Sequence, residues 1–322
     1  MKIEFKKHMR EETERLCSRI KTVTTQLLKK DGVVVGLSGG IDSALTATLC
    51  VKALGKDKVL GVILPEKDSS PESKKLAADL AEKLGIKYVV NEITPTLEGL
   101  NIYNSILEVI RKYYPDFTED MKYKIILPNK LLTKRMLNLY ALVIEDSEGK
   151  EICRKRLGYY DYKKISAALS VKLRIRMVNL YYQAESVNYA VAGTTNRSEY
   201  ELGNFCKYGD GGVDFEVIAH LYKTEVYQMS KYNEIDQRII DRPPSPDTCS
   251  AFVTDEDFFF SLPLELLDKL LYAYNHYSVE ETAQILELEV AQVESIFKDF
   301  TNKKNNTNYL KEMPIACIEI EN

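Results

Sequence analysis

Short apolar runs alternate with segments of helical periodicity in the first third of the chain and again after residue 170. Apolar runs of about four to eight residues are typical of strands that are buried on both faces. The predicted strands begin at Val33, Lys58, Lys87 and Tyr189. Apolar positions at helical spacing predict helices over 11–30, 44–54, 70–84 and 171–187. This alternation predicts an α/β fold with a doubly wound parallel sheet.

The alternation breaks where proline, lysine, arginine and tyrosine interrupt the apolar periodicity. Within this block, 138–144 and 150–157 flank an Asp-Ser-Glu-Gly turn and resemble a β-hairpin. The expected organisation is an α/β core at 1–102 and 166–260, an insertion at 103–165, and a C-terminal helical region and tail at 261–322.

The C-terminal region carries leucines on one face of predicted helices over 262–300. Its polar segment 301–308 is expected to be mobile. Residues 278–286 and the helix after them resemble a helix-turn-helix, but their acidic surroundings argue against DNA binding.

The first predicted strand leads into a glycine turn, Gly36-Leu37-Ser38-Gly39-Gly40-Ile41-Asp42-Ser43, and then into a helix. Glycine permits backbone conformations in which several N–H groups point at one anion, and a helix N-terminus adds a positive dipole. Such a turn suits a phosphate or pyrophosphate. Asp42 places a carboxylate beside it, which is the kind of ligand that Mg²⁺ prefers. The alternative is a purely structural turn, which the pair Asp42 and Ser43 after a buried strand makes less favourable.

A second polar segment follows the strand that begins at Tyr189. Because ligands of doubly wound sheets bind beyond the carboxyl ends of the strands, Gly193-Thr194 and the glycine turn are expected to share one site. The later stretch 207–214 is dense in glycine and charge, which favours a loop that approaches a ligand over a surface loop with salt bridges.

Composition excludes several classes of function. The 322 residues carry a net charge of −4, which does not indicate a nucleic-acid surface, and no apolar run is long enough to span a membrane. The charged N-terminus and six dispersed cysteines favour a cytoplasmic protein with reduced thiols. Three isolated histidines argue against a zinc site or a Ser-His-Asp triad.

The strand followed by Ser-Gly-Gly-Ile-Asp-Ser resembles the signature of the N-type ATP pyrophosphatases, which cleave ATP between the α and β phosphates. Three further motifs make the chain resemble the NAD synthetase family, which converts deamido-NAD to NAD, over roughly 15–100 and 170–300. These motifs are Gly193-Thr194-Thr195-Asn196-Arg197-Ser198-Glu199, Lys207-Tyr208-Gly209-Asp210-Gly211-Gly212-Val213-Asp214 and Leu221-Tyr222-Lys223-Thr224.

The resemblance implies roles for particular residues. ATP would be bound by Gly36, Leu37, Ser38, Gly39, Gly40, Ile41, Asp42, Ser43, Thr194, Lys223 and Ser245. Mg²⁺ would be held by Asp42 and Glu199, and catalysis would depend on Asp42, Glu199 and Lys223. The acid substrate would be bound by Arg174, Lys207, Asp210 and Asp214. The family also implies a homodimer, with the apolar helix 171–187 as a compatible interface.

The chemistry explains these residue types. A carboxylate is a poor electrophile, so AMP transfer from ATP is needed before ammonia can form an amide. Magnesium and oriented N–H groups offset the charge that develops on the departing pyrophosphate. No nucleophilic side chain is required, and the sequence shows no Cys-His glutaminase arrangement. The use of glutamine would therefore need a separate partner that supplies ammonia.

Three departures from the family pattern keep other functions open. Ser170 stands where the family has asparagine, the insertion is long, and 308–314 lacks the usual His-Lys pair that contacts deamido-NAD. The first hypothesis is an ammonia-dependent NAD synthase. The second is an amide ligase or amidotransferase subunit that acts on another carboxylate, such as a sugar acid. The third, a non-catalytic nucleotide-binding protein, is disfavoured because Asp42 and Glu199 are both present.

Overall fold

The computed structural model describes residues 3–5, 8–127 and 140–314. The strands within these ranges are β1 (Gly32–Gly36), β2 (Val59–Ile63), β3 (Lys87–Val90), β4 (Lys122–Ile126), β5 (Ala141–Glu145), β6 (Glu151–Arg156), β7 (Tyr189–Gly193) and β8 (Phe215–Glu216). The first half of the chain contains the helices α1 (Met9–Thr22), α2 (Ile41–Leu54), α3 (Pro71–Leu84), α4 (Thr94–Gly99) and α5 (Ile102–Tyr113). The second half contains α6 (Tyr159–Ser186), α7 (Arg197–Leu202), α8 (Lys223–Tyr232), α9 (Gln237–Asp241), α10 (Leu264–His276), α11 (Val279–Leu286) and α12 (Val290–Thr307).

Five parallel strands form the main sheet in the order β3-β2-β1-β7-β8. From β1 the chain continues through α2 to β2 on one side, whereas β7 leads to β8 on the other. The carboxyl ends of β1 and β7 therefore border the point where the strand order reverses. This is where doubly wound folds bind ligands, and the structure confirms the predicted fold class.

The central strand β1 is covered on both faces. Val33 and Val35 pack in one apolar cluster, which includes residues of α1 and α2, while Val34 packs in the other, with residues of α5 and α6. All three valines are fully buried. Because successive side chains of a strand point to opposite faces, an uninterrupted valine run suits this position and fixes the direction in which the chain leaves β1.

A second, antiparallel sheet has the order β4-β5-β6. Its β5–β6 pair is the hairpin that the sequence predicts, although positions 138 and 139 lie outside the described residues. The strand β4 is not predicted from the sequence. Lys122, Tyr123, Lys124 and Ile125 alternate as expected for a strand with one buried face, and Tyr123 and Ile125 are buried. The run is short and lies among prolines and charged residues.

Two expectations about helices are wrong. The helix expected at 171–187 begins twelve residues earlier in α6, because Ile165, Ala168 and Leu169 continue its buried face beneath exposed tyrosines. The segment 301–308 is not a mobile tail through Thr307, since α12 extends to that residue. Lys303 Nζ donates to the carbonyl oxygen of Phe259 at 3.0 Å, and this contact helps to hold the last turns of α12 against the core.

Candidate active site

The glycine turn after β1 is held by its own serine hydroxyls. Ser43 Oγ donates to the carbonyl oxygen of Gly40 at 3.0 Å and accepts from the backbone N–H of Ser38 at 3.3 Å. Ser38 Oγ accepts from the N–H of Gly40 at 3.2 Å. Gly40 is also the N-cap residue of α2, so the free N–H groups of that helix face the turn. The predicted turn therefore has the geometry of an anion-binding helix start.

Gly39 is the residue of this turn that needs to be glycine. Its φ is +77°, and a Cβ atom at this position would collide with the backbone carbonyl oxygen of Ser73 in α3. A side chain at this position is therefore penalised twice: the backbone conformation is disfavoured, and α3 could not remain where it is.

We expect Gly39→Ala to lower both stability and activity, whereas Gly55→Ala is the matched control. Gly55 has a φ of +86° and a ψ of 152°, but none of the described residues has an atom within 4 Å of the position of its Cβ. The control therefore carries only the conformational cost, about 1–3 kcal/mol. Thermal unfolding should show the larger loss for Gly39→Ala, by about 1–3 kcal/mol from the collision. Equal losses in the two variants would contradict the close approach of α3.

The opposite wall of the site starts at the end of β7. Asn196 is the N-cap of α7, and its Oδ1 accepts from the N–H of Glu199 at 3.1 Å while Glu199 Oε2 accepts from the N–H of Asn196 at 3.1 Å. Asn196 Nδ2 also donates to Asp42 Oδ1 at 3.0 Å. A reciprocal capping box therefore directs Glu199 into the site and ties α7 to the first turn of α2.

Lys223, at the start of α8, joins the two walls. Its Nζ donates to Asp42 Oδ2 and lies 3.8 Å from Glu199 Oε1. Burial alone would lower the pKa of Lys223, but the carboxylates of Asp42, Glu199 and Asp255 outweigh it and raise that pKa. The ammonium group is therefore charged at neutral pH. The structure thus brings together the three residues for which catalytic roles are predicted.

Asp255 is a fourth charged residue of this cluster, and sequence reasoning missed it. Its carboxyl group is buried, and burial, with Asp42 adding to it and Lys223 opposing it, raises its pKa. Burial is also the largest cause of the raised pKa of Glu199. Asp255 stands in an acidic run that resembles solvated surface, and its backbone N–H donates to the carbonyl oxygen of Pro244 at 3.0 Å. The cluster holds three carboxyl groups around one ammonium group.

A divalent cation fits this arrangement. Asp42 and Glu199 offer two hard carboxylate oxygens beside the glycine turn, and Mg²⁺ is often held by one or two carboxylates together with substrate phosphates. Within residues 3–5, 8–127 and 140–314, no three His, Cys, Asp or Glu side chains are arranged to hold a metal by themselves. A cation at this point would therefore depend on oxygen atoms from a phosphate ligand.

Two adjoining clefts, of about 390 Å³ and 210 Å³, open at this edge of the sheet. The larger is lined by Asp42, Glu199, Lys223, Asp255, Ser245 and Thr194, among others. The smaller has an apolar wall that includes Leu64, Pro65, Met177 and Leu180. Ser38, Ser43 and Thr194 border both. Most residues predicted to contact ATP therefore line these two adjoining clefts. Gly39 lines neither of them.

The residues predicted to bind the acid substrate are only partly brought together. Asp210 borders both clefts, and its Oδ1 accepts from the N–H of Cys206 at 2.6 Å. Arg174 is exposed, and its Nε donates to the carbonyl oxygen of Lys207 at 3.4 Å. Asp214 Oδ2 instead accepts from a backbone N–H of β7 at 2.7 Å. Arg174, Lys207 and Asp214 thus lie outside the linings of the two clefts.

The side chain of Lys207 contacts the C-terminal segment. Its Nζ donates to the carbonyl oxygens of Tyr309 at 2.8 Å and Glu312 at 2.7 Å. This segment is where the sequence departs from the pattern of the family it resembles. The ammonium group predicted to contact substrate is therefore engaged by the chain itself.

A buried ion network on the far side of the larger cleft was also not predicted. Lys172 Nζ, fully buried, donates to Glu66 Oε1 at 2.9 Å, to Asp68 Oδ2 at 2.7 Å and to the carbonyl oxygen of Thr248 at 3.1 Å. It connects α6, the loop after β2 and the segment that carries Ser245. A lysine in an amphipathic helix carries no sequence signal for such a role, because most are solvated.

Glu216 of β8 supports the loop that follows β7. Its Oε2 accepts from the N–H of Thr195 at 3.1 Å, and its carboxyl group occupies the space that a side chain on Gly193 would take. Burial raises the pKa of Glu216 to about 7. Because the pKa of Glu216 is higher in the folded than in the unfolded protein, Glu216 takes up a proton on folding between about pH 4.5 and pH 7. Its contribution to stability is full below this window and is lost as the pH rises through it.

We therefore expect Glu216→Gln to gain stability relative to the unmodified protein as the pH rises. The amide keeps an oxygen for Thr195 but cannot ionise, so the gain between pH 5 and pH 8 should be about 1–3 kcal/mol. Unfolding curves at both pH values measure it, with the exposed Glu280→Gln as the control that shows no such trend. A pH-independent difference would contradict the burial of an ionisable Glu216.

Two further findings bear on the class of protein. In the described part of the chain, no helix is long and apolar enough to cross a membrane. Cys17, Cys50, Cys153, Cys206 and Cys249 are free thiols. Cys317 lies outside the described residues.

Comparison with known proteins places the chain in a family. The NAD synthase family model matches residues 12–112 and 137–314. An NH₃-dependent NAD⁺ synthetase of Mesorhizobium japonicum is 41% identical over 312 residues, which are 97% of either chain.

Two solved structures share the fold. An NMN synthetase from Francisella tularensis has a TM-score of 0.63 at 22% identity, covering 97% of this chain and 99% of the other. An NH₃-dependent NAD synthetase from Campylobacter jejuni has a TM-score of 0.61 at 24% identity, covering 97% and 100%. The family match and the 41% identical relative, together with the glycine turn and its charged cluster, show that this chain belongs to the NAD synthase family, whose members are AMP-forming carbon–nitrogen ligases.

Proposed function

We propose that the protein is an ammonia-dependent NAD synthase, which converts deamido-NAD, ATP and ammonia to NAD, AMP and pyrophosphate. The observation that carries the proposal is the position of Lys223 Nζ. This ammonium group lies between Asp42, at the start of α2, and Glu199 of α7, directly beside the glycine turn. The relative that is 41% identical is named for this reaction and matches the chain over nearly its full length.

ATP would lie across both clefts. The free N–H groups at the start of α2 would donate to its phosphates, and the Ser38–Ser43 contacts hold those groups in place before the ligand arrives. The apolar wall at Leu64 and Pro65 would receive the adenine ring. Thr194 and Ser245 would contact the nucleotide from the other wall. Preorganised donors of this kind stabilise phosphate charge without a cost of reorientation during the reaction.

Asp42 and Glu199 would hold Mg²⁺, which when bound offsets the negative charge on the departing pyrophosphate. Lys223 would contribute a fixed positive charge, because its neighbours keep its ammonium group protonated. Catalysis would therefore rest on charge placement and orientation, and no side chain has to act as a nucleophile.

The reaction proceeds in two transfers. A carboxylate oxygen of deamido-NAD attacks the α phosphorus of ATP, the bond to the β phosphate breaks, and pyrophosphate leaves. Ammonia then attacks the acyl carbon of the adenylate, and AMP departs with that carboxylate oxygen. Asp210, which borders both clefts, would orient the dinucleotide together with Arg174 and Lys207, which lie outside their linings, and Asp214 would act from beside β7.

Further properties form part of the same proposal. The core at 1–102 and 166–260 would bind ATP, with 103–165 as an insertion and 261–322 as a C-terminal region. We also propose a homodimer in the cytoplasm, with ammonia either free or supplied by a separate glutaminase.

A second candidate, amidation of another carboxylate, is favoured by one observation. Lys207 is engaged by the carbonyl oxygens of Tyr309 and Glu312, where the family pattern has substrate-binding residues. Such a difference would alter the acid half of the site and leave the ATP half unchanged.

The two candidates separate in one assay. The protein is incubated with ATP, Mg²⁺ and ammonium, and with either deamido-NAD or nicotinic acid mononucleotide, which is deamido-NAD without its adenylate half. AMP and the amide product are measured together. We expect NAD and AMP in equal amounts from deamido-NAD and a much slower reaction with the mononucleotide. AMP release with the mononucleotide or a sugar acid, and none with deamido-NAD, would support the second candidate and refute the first.

A further inference from the structure

A buried carboxylate outside the clefts lies between the two helices that carry the proposed catalytic groups. Asp268 of α10 is fully buried. Its Oδ1 accepts from the hydroxyl of Ser198 at 2.5 Å, and its Oδ2 accepts from the backbone N–H of Thr224 at 2.8 Å. Ser198 precedes Glu199 in α7, and Thr224 follows Lys223 in α8. One side chain thus contacts the first turns of both helices.

The hydroxyl of Ser198 completes the connection. While it donates to Asp268, its Oγ accepts from the backbone N–H of Lys223 at 3.1 Å. The first two N–H groups of α8, those of Lys223 and Thr224, therefore have their acceptors on α7 and α10 respectively. Both would otherwise be unpaired, because the early N–H groups of a helix have no partner within it.

The sequence of α8 itself explains why this cap comes from elsewhere. Glu225 Oε2 accepts from the N–H of the N-cap residue, Tyr222, at 2.9 Å, but the hydroxyl of Tyr222 has no hydrogen-bond partner among the described residues and gives α8 no side-chain hydrogen bond from that position. Residues such as serine or aspartate normally supply that bond. Asp268 supplies it from a different helix, and a carboxylate at this end is also favoured by the helix dipole.

We infer that Asp268 is a positioning residue for the reaction, which acts through Ser198 to fix the separation of Lys223 and Glu199. The inference rests on the proposed roles of those two residues. The distance between Lys223 Nζ and Glu199 Oε1 is set by how α7 and α8 meet, and these hydrogen bonds determine that meeting point. A displacement of about 1 Å in such a group can cost about 100-fold in rate. Asp268 touches neither cleft, so its removal leaves the ligand contacts themselves intact.

Asp268→Asn is the informative variant because it preserves volume. Its oxygen still accepts from Thr224, but its amide nitrogen cannot accept from the Ser198 hydroxyl. We expect kcat for AMP formation to fall about tenfold to 100-fold, with the KM for ATP changed by less than about threefold. Ser198→Ala, which removes only the hydroxyl, should lower kcat in the same direction. Ser230→Ala is the matched control, since it removes a buried α8 hydroxyl for which the described part of the chain offers no hydrogen-bond partner.

A double-mutant cycle with Lys223→Met distinguishes positioning from general destabilisation. If Asp268 acts through Lys223, the loss caused by Asp268→Asn should shrink at least about threefold when Lys223 is already methionine. The inference is overturned if folded Asp268→Asn keeps the kcat of the unmodified protein, or if its loss is unchanged in the Lys223→Met background. Should Asp268→Asn fail to fold, Ser198→Ala is carried through the same cycle with the same two criteria.

The outcome also separates this inference from the proposed function. If the unmodified protein forms no AMP from ATP and deamido-NAD, the proposed function fails. If it forms AMP, and Lys223→Met is impaired while both Asp268→Asn and Ser198→Ala are not, only the positioning role fails.

Discussion

Asp42→Asn is expected to lower AMP formation at least about 100-fold, while the protein remains folded. Asparagine keeps an oxygen for the contact with Asn196 Nδ2, but it removes the charge that faces Lys223 and the proposed cation. Stability should change little, because the cluster holds three carboxyl groups and one ammonium group, and the loss of one anion relieves repulsion among the others. The rate of AMP release at saturating substrates measures the effect.

Asp57→Asn is the control for this change. Asp57 lies just beyond the other end of α2, and its side chain is exposed. The same substitution there should leave turnover within about twofold, since surface substitutions away from special features have small effects. An Asp42→Asn protein that retains more than half of its turnover would refute the role assigned to this carboxylate.

Lys223→Met should affect activity and stability together. Methionine keeps the length of the stem but leaves the carboxyl groups of Asp42, Glu199 and Asp255 without their cation. Removal of one partner from a buried ion pair costs about 3–5 kcal/mol, and the loss of a charge aimed at the phosphates should slow AMP formation about 100-fold or more. Lys231→Met, on the exposed side of the same helix, is the control for both measurements.

The destabilisation in Lys223→Met should depend on pH, with a sign that follows from the raised pKa values of Glu199 and Asp255. Groups whose pKa is raised by folding stabilise the folded state when protonated and lose that contribution as the pH rises. Without Lys223, those pKa values rise further. The variant should therefore be closer to the unmodified protein in stability at pH 5 than at pH 8, and the opposite trend would contradict the burial of these carboxyl groups.

The ATP half of the site can be predicted from the sequence because its determinants are local. The glycine turn, the capping box at Asn196 and the helix that begins at Lys223 are each encoded within a few neighbouring residues. The alternation of elements predicts a parallel sheet, whose ligands bind beyond the carboxyl ends of the strands, and this places the ends of β1 and β7 in one expected site. These are the parts of the fold in which local propensity and tertiary position agree.

The residues that sequence reasoning missed depend on long-range placement. Asp255 lies in a segment that resembles solvated surface, and Asp268 is a single carboxylate in the leucine-rich helix α10. Asp268 acquires its partners because α10 packs against α7 and α8. The end of α12 is similar. Its asparagine and threonine residues have weak helix propensity, yet Thr307 lies against Gly203 and Lys304 Nζ donates to Glu201 Oε2 at 3.1 Å. Tertiary contacts there override the local preference.

The residues predicted to bind the acid substrate are only partly brought together, for a related reason. The motif at 207–214 is present, but Lys207 and Asp214 are engaged by the C-terminal segment and by β7, and of its charged side chains only Asp210 lines the clefts. A motif match indicates which residues are available, whereas their orientation depends on segments far away in sequence. The second candidate function originates in this difference.

The most direct test of the central claim follows an oxygen atom. Deamido-NAD labelled with ¹⁸O in its carboxylate is converted with ATP, Mg²⁺ and ammonium, and the AMP is analysed by mass spectrometry. If the enzyme adenylates the carboxylate before ammonia attacks, each AMP carries one ¹⁸O atom from the acid and appears with one molecule of NAD. Label that appears in pyrophosphate or water, or NAD that forms with ADP in place of AMP, would contradict the account.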